Sequence, residues 1–224
     1  MRINSVVKLL KGISLYKTIR FNLHYFSFSD AIHLPVLVNK NVEFHDLRGG
    51  VFLPSSKRFG MVRIGESKVG FFSNKMRTVW DVRGNVFFKG IASLGKGSRI
   101  CVAKDASVTF GNNFAITANS TIDCVNNISF GNDCLLSWDI LIMDSDYHSI
   151  IQNGNVVNYS KPISIGNHVW IGNNTTLLKG VNVADDVVFS CGSIVTKSVN
   201  CSYCVVSSKG KEIIELKKDI TWEL

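Results

Sequence analysis

Asp144-Ser145-Asp146-Tyr147-His148 sets an imidazole four residues after one carboxylate and two after another. A neutral imidazole near pH 7 takes a proton from a hydroxyl as that hydroxyl attacks an electrophile. A carboxylate beside it fixes the ring tautomer and stabilises the imidazolium. Asp146 and Asp139 are the two candidates for that carboxylate, and the sequence does not choose between them. His24, His33 and His45 carry no recognisable pattern, and His168 reads as a solvated turn residue. Cys201 and Cys204 form a C-x-x-C, but no second pair follows at zinc-ligand spacing, so no metal site is expected. All six cysteines are expected to be free thiols.

What sets His148 apart is its place in a repeat. Apolar residues fall at Ile165, Ile171, Leu177, Val183, Phe189 and Val195, six apart throughout. Small or β-branched residues hold the fifth place of each unit, from Val169 to Val199, and Gly166 and Gly172 hold second places. Six is not a helical period; it fits short extended stretches joined by tight corners. Three such units close a triangular coil, and stacked coils pair as parallel strands around an apolar column. The pattern runs backwards less regularly through Ile142, Leu136, Phe130, Ile122, Ile116, Phe110, Val102 and Leu94. One large break interrupts it: 23 residues separate Ile142 from Ile165 where six belong. The surplus matches residues 148–164, a polar stretch that a stacked coil can hold only as an outward loop. His148 stands at the root of that loop, where an ordinary surface histidine would have no reason to be.

The sequence therefore divides into an N-terminal cap (1–41), a repeat domain (42–205) and a C-terminal tail or helix (206–224). Helix-like spacing over 5–20 and packing points at Ile213, Ile214, Leu216 and Trp222 predict caps over the ends, which would otherwise expose strand edges. The chain has 46% hydrophobic residues and three prolines, which excludes a disordered protein. It shows neither an apolar run of spanning length nor a signal-peptide pattern, so the expected compartment is the cytoplasm. A net charge of +8 suits an anionic ligand or surface, and the basic N-terminus suits peripheral contact with an inner membrane surface. No RNP-type aromatic motif, helix-turn-helix or dense basic stripe points to nucleic acid.

The run Ile165-Gly166-Asn167-His168-Val169-Trp170-Ile171-Gly172, then Gly180-Val181, then Cys191-Gly192-Ser193-Ile194-Val195-Thr196-Lys197, resembles the hexapeptide-repeat acetyltransferases. Within them it is similar to the maltose, galactoside and capsule or lipopolysaccharide O-acetyltransferase group. Ser137-Trp138-Asp139 with Asp144, Asp146 and His148 resembles the catalytic stretch of the polysaccharide-modifying branch. The resemblance implies an all-β fold, a left-handed parallel β-helix with short helical caps at both ends, assembled as a homotrimer with active sites between subunits. It implies acetyl-CoA as acyl donor, a carbohydrate acceptor and no metal. His148 matches the catalytic histidine. Trp170 and Gly172 match the V-W-I-G motif beside the CoA groove; Asn173, Cys191, Thr196, Lys197 and Lys211 fall where CoA is met. Asn119, Trp138 and Asp144 fall on the acceptor side. Two departures stand out: Val205-Val206-Ser207-Ser208-Lys209 replaces the usual G-N-P-A motif, and Thr117 stands where the galactoside branch has an acceptor-binding asparagine.

The chemistry so implied is direct acyl transfer to a sugar hydroxyl, with His148 as general base and no covalent enzyme intermediate. An N-acetyltransferase acting on an amino-sugar and a non-catalytic scaffold are the alternatives. A zinc hydratase on the same fold would need three converging histidines, and the regular coils hold only His148 and His168.

Overall fold

The computed structural model describes residues 12–66, 69–73, 75–209 and 212–223. The six-residue period becomes three faces of a triangular prism. The inward column of the first face runs Ile64, Leu94, Ile116, Leu136, Ile171 and Phe189, each in register with the next. The second face carries Trp80, Ile100, Ile122, Ile142, Leu177 and Val195. The third carries Phe88, Phe110, Phe130, Ile165 and Val183. A step of six therefore moves an apolar residue to the next face, and three steps return it one coil later. The result is a parallel β-helix whose faces have nine, seven and six strands among the described residues. On the third face, Phe88 and Phe130 flank the Phe110 ring at centroid distances of 5.2 and 5.7 Å, nearly parallel to it.

Corners explain the polar repeats. The backbone N–H of Asn112 donates to Asn132 Oδ1, that of Asn132 to Asn167 Oδ1, and that of Asn167 to Asp185 Oδ1, with sequence separations of 20, 35 and 18. The middle separation is the coil that carries the long loop. The second-place glycines are required here by close approach: a Cβ on Gly111 would lie 2.0 Å from the Gly131 carbonyl oxygen, and one on Gly131 would lie 2.6 Å from Gly166. Their backbone does not need positive φ; the next residues but one, Asn113, Asp133 and His168, supply that.

The ends differ from expectation. The prism begins at Val36–Val38, ahead of Val42, because this buried strand is covered by helix α1 (Leu15–Tyr25). Residues 1–11, which hold part of the expected 5–20 helix, lie outside the described residues. Helix α1 starts after Ser14, whose hydroxyl accepts from Lys17 N. Asn22 bonds both the N–H and the carbonyl of Val36, and Thr18 bonds both groups of Val38. Two side chains thus stand in for a neighbouring strand and close the sheet edge. The far end is capped by a β-hairpin rather than a helix: Cys204–Lys209 continues the first face and turns back antiparallel into Glu212–Lys217. Cys201 and Cys204 are joined as a disulfide instead of standing free, their Cα atoms 6.4 Å apart across a tight turn. Cys101, Cys124, Cys134 and Cys191 are free.

Candidate active site

Leu141–Met143 is a strand of the second face, and the chain turns outward after Asp144. Asp144, placed on the acceptor side by its sequence position, is fully buried. Its carboxylate accepts from the backbone N–H groups of Val125 and Asn126 at 2.7 and 2.9 Å, so it staples the loop root to the coil below and cannot reach a ligand. Asp144→Ala should destabilise the fold by about 1–3 kcal/mol, the usual cost of stranding such donors. Denaturant melts measure this, and unchanged stability together with a raised acceptor KM would restore the acceptor role.

The next four residues form a tight turn. Tyr147 N donates to Ser145 Oγ, His148 N donates to the Asp146 carbonyl, and Tyr147 adopts φ +62°. A tyrosine holds that conformation only when its surroundings impose it. Here its hydroxyl donates to Asp123 Oδ1 on the second face. Burial, and then this bond, push the phenol's pKa up, so it stays a donor. Asp146 is a clamp: its Oδ2 receives Lys179 Nζ at 2.6 Å and Asn158 Nδ2 at 2.8 Å. These contacts, Lys179 first, hold its pKa below the ordinary carboxylate range. Asn158 also donates to the His148 carbonyl and accepts from Ile150 N. The loop tip is a hairpin, Ile151–Gln152 against Asn155–Val156, on an Asn153-Gly154 turn with both φ values positive. The His148 ring is exposed and opens on a cavity of about 230 Å³ lined by Ser145, Tyr147, Asn158 and Tyr159. Among the described residues no carboxylate bonds that ring, so neither Asp146 nor Asp139 orients it within one chain. Asp123, Tyr147, Asn158 and Lys179 were missed in the sequence; only the N-G hairpin pair hinted that the loop was ordered.

A second group gathers on the opposite corner, between the first and second faces. Gly97, Asn119, Asp139, Asn174 and Gly192 succeed one another there, all with positive φ. Trp138 and Asn173 directly precede two of them, and Cys191 directly precedes Gly192. Asp139 accepts from Asn119 Nδ2, and Phe71 packs edge-on against Trp138 at 5.3 Å. The expected acceptor residues Asn119 and Trp138 thus share one line with Asn173 and Cys191, the expected donor residues. From Asp139 to Asp144 the chain runs five residues along the second face, about 16 Å at the usual strand rise. His148 and this corner stand on opposite sides of that face.

Trp170 lies on the outer side of the first face, 36% exposed, and its Nε1 donates to Ser137 Oγ at 3.0 Å. Gly172 keeps coils together, since a Cβ there would lie 2.6 Å from the Phe189 carbonyl oxygen. Thr196 and Lys197 are exposed on the late coils, and Lys211 lies outside the described residues. His168 is not a solvated turn residue: Nδ1 meets Asp186 at 2.8 Å, Nε2 meets the Trp222 carbonyl at 3.1 Å, and the ring stacks on Trp222 at 4.4 Å. The C-terminal tail is thereby pinned beside Trp170, 5.9 Å from Trp222.

No family model matches the chain. A polysialic acid O-acetyltransferase of Escherichia coli O1:K1 is 32% identical over 143 residues, 63% of this chain and 43% of that protein. The galactoside O-acetyltransferase of E. coli K12 is 33% identical over 97 residues, 42% of this chain and 47% of that protein. The repeat region is homologous to the hexapeptide-repeat O-acetyltransferases. The polysialic acid O-acetyltransferase of Neisseria meningitidis adds 42% identity over 77 residues, 34% of each chain. The chain thus spans under half the length of each of these O-acetyltransferase relatives. The crystal structure of the polysialic-acid-specific acetyltransferase NeuO superposes with a TM-score of 0.52 at 22% identity, covering 85% of this chain and 79% of that one. This likeness establishes the shared fold.

Proposed function

We propose that this protein is an acetyl-CoA-dependent O-acetyltransferase acting on a sugar hydroxyl of a surface polysaccharide, with polysialic acid as the leading class. The observation that carries the reading is His148: an exposed imidazole at the root of the long outward loop, presented by a turn fixed at Asp144, Asp146 and Tyr147, in a chain homologous to such enzymes. His148 takes the proton of the acceptor hydroxyl as its oxygen attacks the thioester carbonyl. Backbone N–H groups suit the resulting oxyanion. Collapse expels the CoA thiolate, which recovers the proton from the imidazolium. Trp170, Asn173, Cys191, Thr196 and Lys197 serve the donor, and Asn119 and Trp138 the acceptor.

We further infer a homotrimer. His148 and the Trp138 corner sit on opposite sides of one face, and a three-fold arrangement sets one subunit's loop against its neighbour's corner. Such a neighbour would also supply the partner that the His148 ring lacks among the described residues of its own chain. Catalysis then takes place in the cytoplasm, with helix α1 toward the membrane surface; its Leu15, Tyr16 and Leu23 are exposed. No helix among the described residues is long and apolar enough to cross a membrane.

The test is thiol release from acetyl-CoA by the purified chain against a panel of oligosialic, neutral and amino-sugar acceptors, with products weighed by mass spectrometry. Acceptor-dependent release with an ester product is expected. Release only with amino-sugars would turn the reading to N-acetylation, and no acceptor dependence with any glycan would overturn it.

A further inference from the structure

The outer side of the first face holds a cavity of about 500 Å³ on the early coils, well away from the His148 loop. Its floor is made by outward residues of adjacent strands, among them Ser93 and Thr117, which offer two hydroxyls. Its walls include Phe59 and Ile91, 54% and 44% exposed. Its charged lining is Arg58, Arg63 and one carboxylate, Glu66. Arg58 is exposed and has no ion pair among the described residues; Arg63 meets only Glu66, at 3.4 Å, which leaves most of its five donors free. The cavity therefore combines an excess of guanidinium charge, hydroxyls and an aromatic ring in one concave space.

We propose that this cavity is a subsite for an acidic sugar residue of the acceptor, with Arg58 and Arg63 holding its carboxylate. The planar guanidinium matches a carboxylate in two parallel hydrogen bonds. Ser93 and Thr117 suit ring hydroxyls, and Phe59 suits the apolar C–H face of a pyranose. The position fits an extended glycan: Arg63, Ser93 and Ala115 continue in register through Leu135 to Trp170. Two strand spacings separate Ala115 from Trp170, about 10 Å. A glycan held in the cavity thus runs along the face toward Trp170 and the Trp138 corner. The donor residues expected from the family lie on later coils, which argues against CoA as the occupant. This inference rests on the O-acetyltransferase reading and names its acceptor as a carboxylated glycan.

The experiment is fluorescence anisotropy with the full chain, without acetyl-CoA, using labelled oligosialic acid, a labelled hexuronate oligomer and a neutral maltooligosaccharide. At least one acidic oligomer should bind, more weakly as salt rises, and the neutral one should not. Arg58→Glu should weaken that binding by roughly 10–100-fold, the worth of a charge-assisted contact, and Arg58→Lys by less. Arg58 is exposed, so the melting temperature should not move and a folding defect would show. Acidic oligomers binding no better than the neutral one, or an unchanged Kd in folded Arg58→Glu, would overturn the subsite. Displacement of the acidic oligomer by CoA would do the same by assigning the arginines to the donor. Arginine-dependent binding without acetyl transfer would keep the subsite and remove the activity.

Discussion

His148→Ala should lose about 10²–10⁴-fold in kcat, the usual share of a positioned proton transfer. The fold should survive, because the loop root is held without the imidazole: Asp144 is stapled to Val125 and Asn126, Asp146 to Lys179, and Tyr147 to Asp123. Even the bonds on the His148 backbone, from Asn158 to its carbonyl and from its N–H to Asp146, persist in the alanine variant. The KM for acetyl-CoA should change little, since the ring acts on the acceptor proton. Steady-state kinetics with an active acceptor separate these terms. Full turnover in a folded His148→Ala protein would remove the general base and leave the β-helix untouched.

Phe110→Ala should cost about 3–5 kcal/mol, the range for emptying a large aromatic site in a packed core. Phe110 is fully buried and sits between Phe88 and Phe130, with Phe114 tilted against it at 4.6 Å. The coils cannot close on the void. Their separation is fixed by parallel strand pairing on three faces and by the Asn112–Asn132–Asn167 corner ladder. Phe88, Phe130 and Phe114 lose their contacts with it together, so the effect should exceed that of removing an aliphatic residue such as Val108 from the same strand. Urea unfolding followed by tryptophan fluorescence gives the comparison, since Trp80 is buried in the same core. A loss below that of Val108→Ala would mean that the aromatic column carries no special share of stability.

These two expectations concern parts of the chain that do different work. The column is rigid because every coil repeats its neighbour. The loop is where repetition stops, and it is fixed by polar side chains reaching between coils. Helix α1 solves a third problem, a bare sheet edge, with Asn22 and Thr18 in place of a strand.

The amino-acid sequence alone determined the prism. A solenoid residue's face is set by its position in a short period, so Ile165, Ile171 and Leu177 announce three faces without any knowledge of distant partners. It also determined where the prism breaks, because a surplus beyond whole repeats has nowhere to go but outward, and so it singled out His148. Motifs carried on those same repeats supplied the resemblance on which the proposed function rests. What only the tertiary structure decided is lateral. Corner and loop side chains find partners on other coils, separated in sequence by 20, 35 or 18 residues according to insertions between them. The sequence sets Asp144 on the acceptor side and Asp146 as a candidate to orient His148, but not what either carboxylate bonds. One is buried against the coil below and the other is drawn to Lys179, because the chain turns outward between them. His168 looks like a solvated corner residue, and it becomes the anchor of Trp222, 54 residues further along the chain. Periodicity records which way a side chain points; the partner it meets there depends on how the coils stack.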